Sequence, residues 1–316
     1  MDAILASAPG SFMLFGEHAV LRGHRAVVGA VADRLTLTLR PRPDRQVLLR
    51  SALGEWAGEL DDLAVTPPFT YLLAALLEHR PHLPGGCEIE VRSAISSTVG
   101  LGSSAAVLAA ALGALARWTG GEERRPTLLA RGLSLIRQVQ GAGSGADLAA
   151  SLHGGLLAYH PPTGAVHALD WRPPFSLVYS GAKEPTAQVI ARIDAWERAR
   201  PDLAAGLFSA MGATTERAIA ALRAEDAEEI GILLTAGHGL MESLGLANAD
   251  LARIVTALRE QPGVWGAKIS GSGRGDCALA LGRTDLAVPG YATLNATWGD
   301  TGLQVGASAD GKPGPA

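Results

Sequence analysis

Val99-Gly100-Leu101-Gly102-Ser103-Ser104-Ala105-Ala106 is the stretch on which the reading of this chain turns. Two glycines and two serines lead straight into an apolar run that ends at Trp118. Backbone N–H groups and serine hydroxyls therefore converge at the positive end of a helix, a place suited to anions. The loop lacks the lysine of a Walker sequence, so a phosphate bound here is held by backbone and serine. Taken alone, the same pattern also serves as an ordinary N-terminal cap of a buried helix.

The surrounding chain limits the options. With 316 residues, 47% hydrophobic and 18% charged, it has a globular composition and enough length for two domains. A net charge of −4 offers no basic face, so no nucleic-acid partner is expected. Basic residues are mostly arginine, which makes the three lysines, Lys183, Lys268 and Lys312, informative by position. Cys87 and Cys277 have no metal-ligand spacing, consistent with a reduced, cytoplasmic protein. The N-terminus lacks the basic and apolar regions of a signal peptide, and no run reaches the roughly 20 apolar residues of a membrane span. No membrane partner is expected, and no internal repeat is visible.

Hydrophobic periodicity predicts short strands at 3–8 and 11–15, separated by a turn at Pro9-Gly10, then strands at 26–32, 35–39 and 47–49. A helix is expected over 68–78, a strand over 87–91, a buried helix over 104–118 and another helix over 127–139. Gly141 to Asp147 reads as a second flexible turn, with Asp147 near a helix start, where a carboxylate also simply complements the helix dipole. After a strand at 156–159, His160-Pro161-Pro162 and Trp171-Arg172-Pro173-Pro174 mark a domain boundary. The second half reads as a strand at 175–180, helices over 186–260 broken near 200–201 and 245–248, and strands at 264–269 and 277–281 around a third glycine-rich turn. A further helix and a last strand at 302–305 complete a split β-α-β pattern, and a frayed tail follows. The domains expected are thus 1–172, 173–306 and a flexible tail 307–316.

Four segments resemble the GHMP small-molecule kinases, and among them the mevalonate kinases. Ala8-Pro9-Gly10-Ser11-Phe12-Met13-Leu14-Phe15-Gly16-Glu17-His18-Ala19-Val20 is similar to the first family motif, and Gly100 to Ala106 to the phosphate-binding motif. Lys268 to Cys277 resembles the third motif, and Gly237 to Leu246 an Asn-His-x-Leu-Leu-x-x-Leu-Gly-Val segment of mevalonate kinases. They lie in family order and span nearly the whole chain. The resemblance implies an α+β GHMP kinase fold, with an N-terminal domain like ribosomal protein S5 domain 2 and a ferredoxin-like C-terminal domain. It implies ATP and Mg2+ as cofactors and a small-molecule substrate, and leaves a homodimer open. Gly100, Leu101, Gly102, Ser103, Ser104 and Ala105 would bind the nucleotide, with Ser104 on the metal. Glu17, His18, Gly271, Ser272 and Gly273 would line the substrate side, and Asp147 would face the substrate hydroxyl as base or electrostatic partner.

The departures are as informative. Ser11 stands where mevalonate kinases carry a lysine, and an ungapped count back from Asp147 puts the family's Mg2+-binding glutamate at Ile136. Lys183, between a predicted strand and helix, is the candidate for replacing part of the lost positive charge, with a solvated lysine as the alternative; Arg22 and Arg274 are weaker candidates. The expected activity is ATP-dependent phosphorylation of the primary hydroxyl of mevalonate, in isoprenoid precursor synthesis. Gln140 to Ser151 and Gly275-Asp276-Cys277 also resemble phosphomevalonate kinases, which keeps that substrate open. Another GHMP small-molecule kinase, a binding-only member lacking turnover and a decarboxylase-like lyase are the remaining alternatives.

Overall fold

The apolar stretches near the N-terminus become the two longest strands, β1 (Ile4–Phe15) and β2 (Ala26–Pro41), paired antiparallel from Ile4 opposite Leu39 to Phe15 opposite Val27. They belong to a computed structural model that describes residues 2–96 and 99–307. The expected turn at Pro9-Gly10 and the split of 26–39 into two strands do not occur. The β1–β2 register shifts between Pro9 and Ser11 instead, an irregularity at which proline, lacking an N–H, is accommodated. Gly10 serves close approach: a Cβ there would sit 2.6 Å from the Leu101 carbonyl oxygen, so the glycine loop can lie directly on β1.

β3 (Gln46–Ser51) and β4 (Gly54–Glu59) form a hairpin, of which the sequence reading gave only the middle of β3. There follow α1 (Thr70–His79), β5 (Cys87–Ser93), α2 (Ser103–Trp118), α3 (Arg125–Gln140), α4 (Ala146–His153), β6 (Leu156–His160) and β7 (Ala165–Leu169). Helix α2 buries 12 of its 16 residues. It packs against β1, β2, α1 and α4, which explains why its sequence is apolar on nearly every face.

The second half contains β8 (Phe175–Tyr179), α5 (Thr186–Ala199), α6 (Pro201–Ala224), α7 (Ala227–Ser243), α8 (Ala249–Arg259), β9 (Gly266–Ser270), β10 (Cys277–Leu281) and β11 (Ala292–Leu294). These four strands form an antiparallel sheet in the order β11-β8-β10-β9, the strand order of a ferredoxin-like domain. Two expectations are corrected. The helical stretch has an extra break at Glu225, in the left-handed region at φ 56°, before Asp226 caps α7 through the Glu229 N–H. No helix lies between β10 and β11. That connection buries Leu286 and Val288 in irregular backbone and turns at Pro289-Gly290.

β12 (Gln304–Ala307) returns to the first sheet and pairs with β1, giving the order β12-β1-β2-β5-β3-β4, with β6 and β7 joined through β2. Residues 304–306, grouped by sequence with the second domain, thus lie in the first sheet; the tail from 308 onward, including Lys312, falls outside the described residues. On the way back Trp298 packs its ring against Phe12 and Phe175, at centroid distances of 5.4 and 4.9 Å, and covers the seam between the two sheets. Among the described residues no helix is long and apolar enough to cross a membrane.

A buried ion pair also crosses the seam. Lys268 on β9 pairs with Glu17, just past β1, and donates to the Ile269 carbonyl at 2.6 Å; both side chains are almost completely shielded from water. Nearby, the Ser270 hydroxyl donates to the Met13 carbonyl at 2.8 Å. Burial draws the lysine pKa down, and the Glu17 carboxylate opposes that shift. Lys268→Met should therefore cost about 3–5 kcal/mol by stranding a buried carboxylate. The Glu17→Gln/Lys268→Met double variant should lose less than the sum of the single variants in urea unfolding.

Candidate active site

The glycine loop is clamped from both sides. On one side the Ser11 N–H donates to the Leu101 carbonyl at 3.1 Å, and on the other the Cys277 thiol donates to the Val99 carbonyl at 3.3 Å. Gly100 and Gly102 hold left-handed backbone, at φ 72° and 66°. Gly102 also packs on the Ser11 hydroxyl, leaving no space for a Cβ. As the N-cap residue of α2, Gly102 brings no side chain to the first-turn N–H groups. Those donors face the cleft beside Ser103 and the exposed Ser104.

The cleft is a cavity of about 240 Å³ whose lining includes Gly100, Gly102, Ser104, Asp147, Lys183 and Asp276. Asp147 lies in the first turn of α4 and accepts a 2.8 Å hydrogen bond from the Ser11 hydroxyl. Its carboxyl is wetted from the cleft yet ringed by protein. Loss of solvation raises its pKa, while the Ser11 hydrogen bond and the Lys183 charge pull it back. Lys183 comes from the opposite sheet, on the loop between β8 and α5, and forms an ion pair at 3.6 Å with Asp276. Ile136 lines the same cavity and adds an apolar side chain to its wall.

Of the residues expected on the substrate side, Glu17, His18, Gly271 and Ser272 line this cavity, with differing freedom. Glu17 lines it but is committed to Lys268. His18 has a left-handed backbone, φ 57°, and its Nε2 donates to the Ser272 carbonyl at 2.8 Å. That hydrogen bond joins the first motif to the third. Burial pushes the His18 pKa below the ordinary histidine value, so the ring is neutral and Nδ1, which has no hydrogen-bond partner among the described residues, is an acceptor. The Ser272 hydroxyl is likewise unpartnered. Gly271 and Ser272 line the cavity, whereas Gly273 is buried behind them against Leu246. Arg22 is taken up by Asp194 and Glu197 and stacks on Phe208, and Arg274 is held by Glu184 at 3.1 Å; neither lines the cavity.

Two features escaped sequence reading. Asp276 was visible as a motif variant, but nothing in the sequence placed its carboxylate opposite Lys183. A second cavity of about 730 Å³ shares Tyr71, Ser103 and Ser104 with the first and extends over Leu35, Phe69, Leu72 and Val107. Its walls come from β2, α1, β5, α2 and the β3–β4 turn, and no local motif marks such an assembly.

The chain matches the family profiles described as GHMP kinases N terminal domain, over residues 69–155, and GHMP kinases C terminal, over residues 218–299. It is 32% identical over 278 residues to a mevalonate kinase of Archaeoglobus fulgidus, covering 88% of this chain and 92% of the relative. It is 29% identical over 299 residues to a mevalonate kinase of Pyrococcus furiosus, covering 88% and 89%. The crystal structure of L. major mevalonate kinase in complex with R-mevalonate superposes with a TM-score of 0.68 at 25% identity, over 87% of this chain and 86% of that one. With both family profiles matched and 32% identity to a mevalonate kinase over most of its length, the chain belongs to the GHMP kinase family.

Proposed function

We propose that this protein transfers the γ-phosphoryl group of ATP to the primary hydroxyl of mevalonate. The observation that carries the reading is the meeting, in one cavity, of the open N-terminus of α2, the Asp147 carboxylate and the Lys183 ammonium. The relatives named mevalonate kinase supply the acceptor. The apolar cavity beyond Ser104 is suited to a nucleoside base, with the phosphates lying across the helix N-terminus toward Asp147.

In the reaction the substrate hydroxyl oxygen bonds to the γ-phosphorus, the bond from that phosphorus to the β-bridging oxygen breaks, and the hydroxyl proton passes to Asp147. Positioning and charge stabilisation carry most of such a transfer. A carboxylate of raised pKa accepts the proton more readily than an ordinary one, and Ser11 fixes its orientation. The Ser104 hydroxyl is a hard oxygen donor open to both cavities. It suits Mg2+ arriving with the nucleotide, an ion that takes few protein ligands and fills the rest with phosphate oxygens and water. When bound, the ion supplies positive charge at the β- and γ-phosphates.

Phosphomevalonate is the second reading, motivated by Asp276. Among the described residues lining the cavity, Lys183 is the sole lysine or arginine. Among those residues the cavity thus offers no second cation for the additional phosphate that phosphomevalonate would bring.

Purified protein with Mg-ATP should release ADP with mevalonate, and not with phosphomevalonate, homoserine or galactose; turnover with none of the four would favour the binding-only alternative. Asp147→Asn should lower kcat by about 10²–10⁴-fold with the fold retained. In the pH profile of kcat/KM, activity should fall as Asp147 protonates, on an acid limb above the ordinary aspartate value. Because Lys183 pulls that pKa down, Lys183→Met should move the limb to higher pH.

A further inference from the structure

We propose that Asp276 is a positioning residue that holds the Lys183 ammonium at the reacting end of the cleft, where it supplies the positive charge that Ser11 cannot. The proposal rests on the kinase reading above and names how that site is completed.

The loop carrying Lys183 has little packing of its own, for residues 181–183 are all exposed. Asp276 ties it down at both ends. The Asp276 N–H donates to the Ala182 carbonyl at 2.8 Å, and the Ser180 N–H donates to the Asp276 carbonyl at 2.9 Å. The Ser180 hydroxyl closes the same turn on Ala182 at 3.2 Å. Gly275 makes the approach possible: a Cβ there would lie 2.6 Å from the Ala182 oxygen and 3.0 Å from the Lys183 Cα. The loop is thus seated on the third motif by backbone, and its lysine is aimed by the side chain of the residue that seats it.

Asp276 is an unusual residue for this position. Its backbone is left-handed at φ 62°, where glycine would be relaxed and an aspartate is uncommon. Its side chain is only 6% exposed as a residue, and Oδ1 accepts no hydrogen bond among the described residues. A buried carboxylate calls for a compensating charge, and Lys183, at 3.6 Å from Oδ1, is the one that faces it. The same oxygen stands 2.5 Å from where a Cβ of Gly100 would be. The Asp276–Lys183 pair therefore abuts the glycine loop on one side, while the Lys183 charge also acts on Asp147. Ser11 meanwhile has its hydroxyl committed to Asp147 and is packed against Gly102. The cation enters from the side of the second sheet, while β1 presents the Ser11 hydroxyl.

The test uses the intact chain and the variants Asp276→Asn, Asp276→Gly, Lys183→Met and Asp276→Asn/Lys183→Met. Asparagine and glycine both tolerate left-handed backbone, so thermal midpoints should stay level or rise. Asp276→Asn should nevertheless lower kcat by about tenfold or more, with the KM for ATP changing much less. Lys183→Met should lower kcat at least as far, and the double variant should be no slower than Lys183→Met alone, as expected of residues that act as one unit. A readout independent of turnover is acylation of Lys183 by acetic anhydride, followed by mass spectrometry. Loss of the carboxylate frees the amine from its ion pair, so Lys183 should label several-fold faster in Asp276→Asn.

Unchanged labelling would overturn the proposal even if no acceptor is turned over, which separates its failure from that of the kinase reading. So would a parent-like kcat in Asp276→Asn beside a slow Lys183→Met, or multiplicative losses in the double variant. Rescue of Asp276→Asn by raised Mg2+ would make Asp276 a metal ligand and would also overturn it.

Discussion

The site depends on a short loop pressed between two sheets. Residues 99–102 lie against β1 through the Ser11–Leu101 hydrogen bond and against the β10 end through the Cys277–Val99 contact. Close approach on both sides requires glycine. Gly10 yields to the Leu101 carbonyl, Gly102 to Ser11 and Gly100 to Asp276. With the loop fixed in this way, α2 begins at a defined point and its unpaired first-turn N–H groups open into the cleft. A helix N-terminus needs no charged side chain to favour an anion, so this clamp leaves a backbone site suited to an anion at the cleft.

Charge around the loop is sparse and divided into two pairs. Glu17–Lys268 is fully enclosed and ties β9 to the end of β1, so its energetic effect falls on the seam between the sheets. Asp276–Lys183 lies at the wall of the cleft, with the lysine about one-third exposed and the carboxylate shielded. Burial sets the different uses. An enclosed pair stays closed, whereas an ammonium with one face toward water can turn to a bound phosphate. Asp147 completes the set as a carboxylate oriented by Ser11, and Ile136 leaves the neighbouring wall apolar.

Much of the fold was legible in the chain. The apolar run after Ser104 predicted α2 because a helix buried on nearly all faces must be apolar on nearly all faces. The three glycine-rich turns likewise mark places where the backbone turns left-handed or is closely approached. Local reading failed where the cause was distant. Pro9-Gly10 reads as a turn by composition, yet both residues sit in a continuous strand because the glycine loop needs the space above Gly10. The return of β12 to β1 leaves no periodic signature, since a four-residue edge strand is defined by its partner.

By itself, the sequence determined the α+β class, the order of the motifs and the residue types that meet at the candidate site: glycine and serine in the loop before α2, Asp147 at the start of α4, and Ser11 and Ile136 where the family resemblance implied charged groups. Tertiary structure alone decided which charges meet. It enclosed Glu17 with Lys268, removed Arg22 and Arg274 from the cleft, and set Lys183 opposite Asp276 across 93 positions of chain. The reason is physical: a backbone motif is encoded by the conformations its own residues allow, whereas an ion pair depends on the distance between segments that only the packing of two sheets brings together.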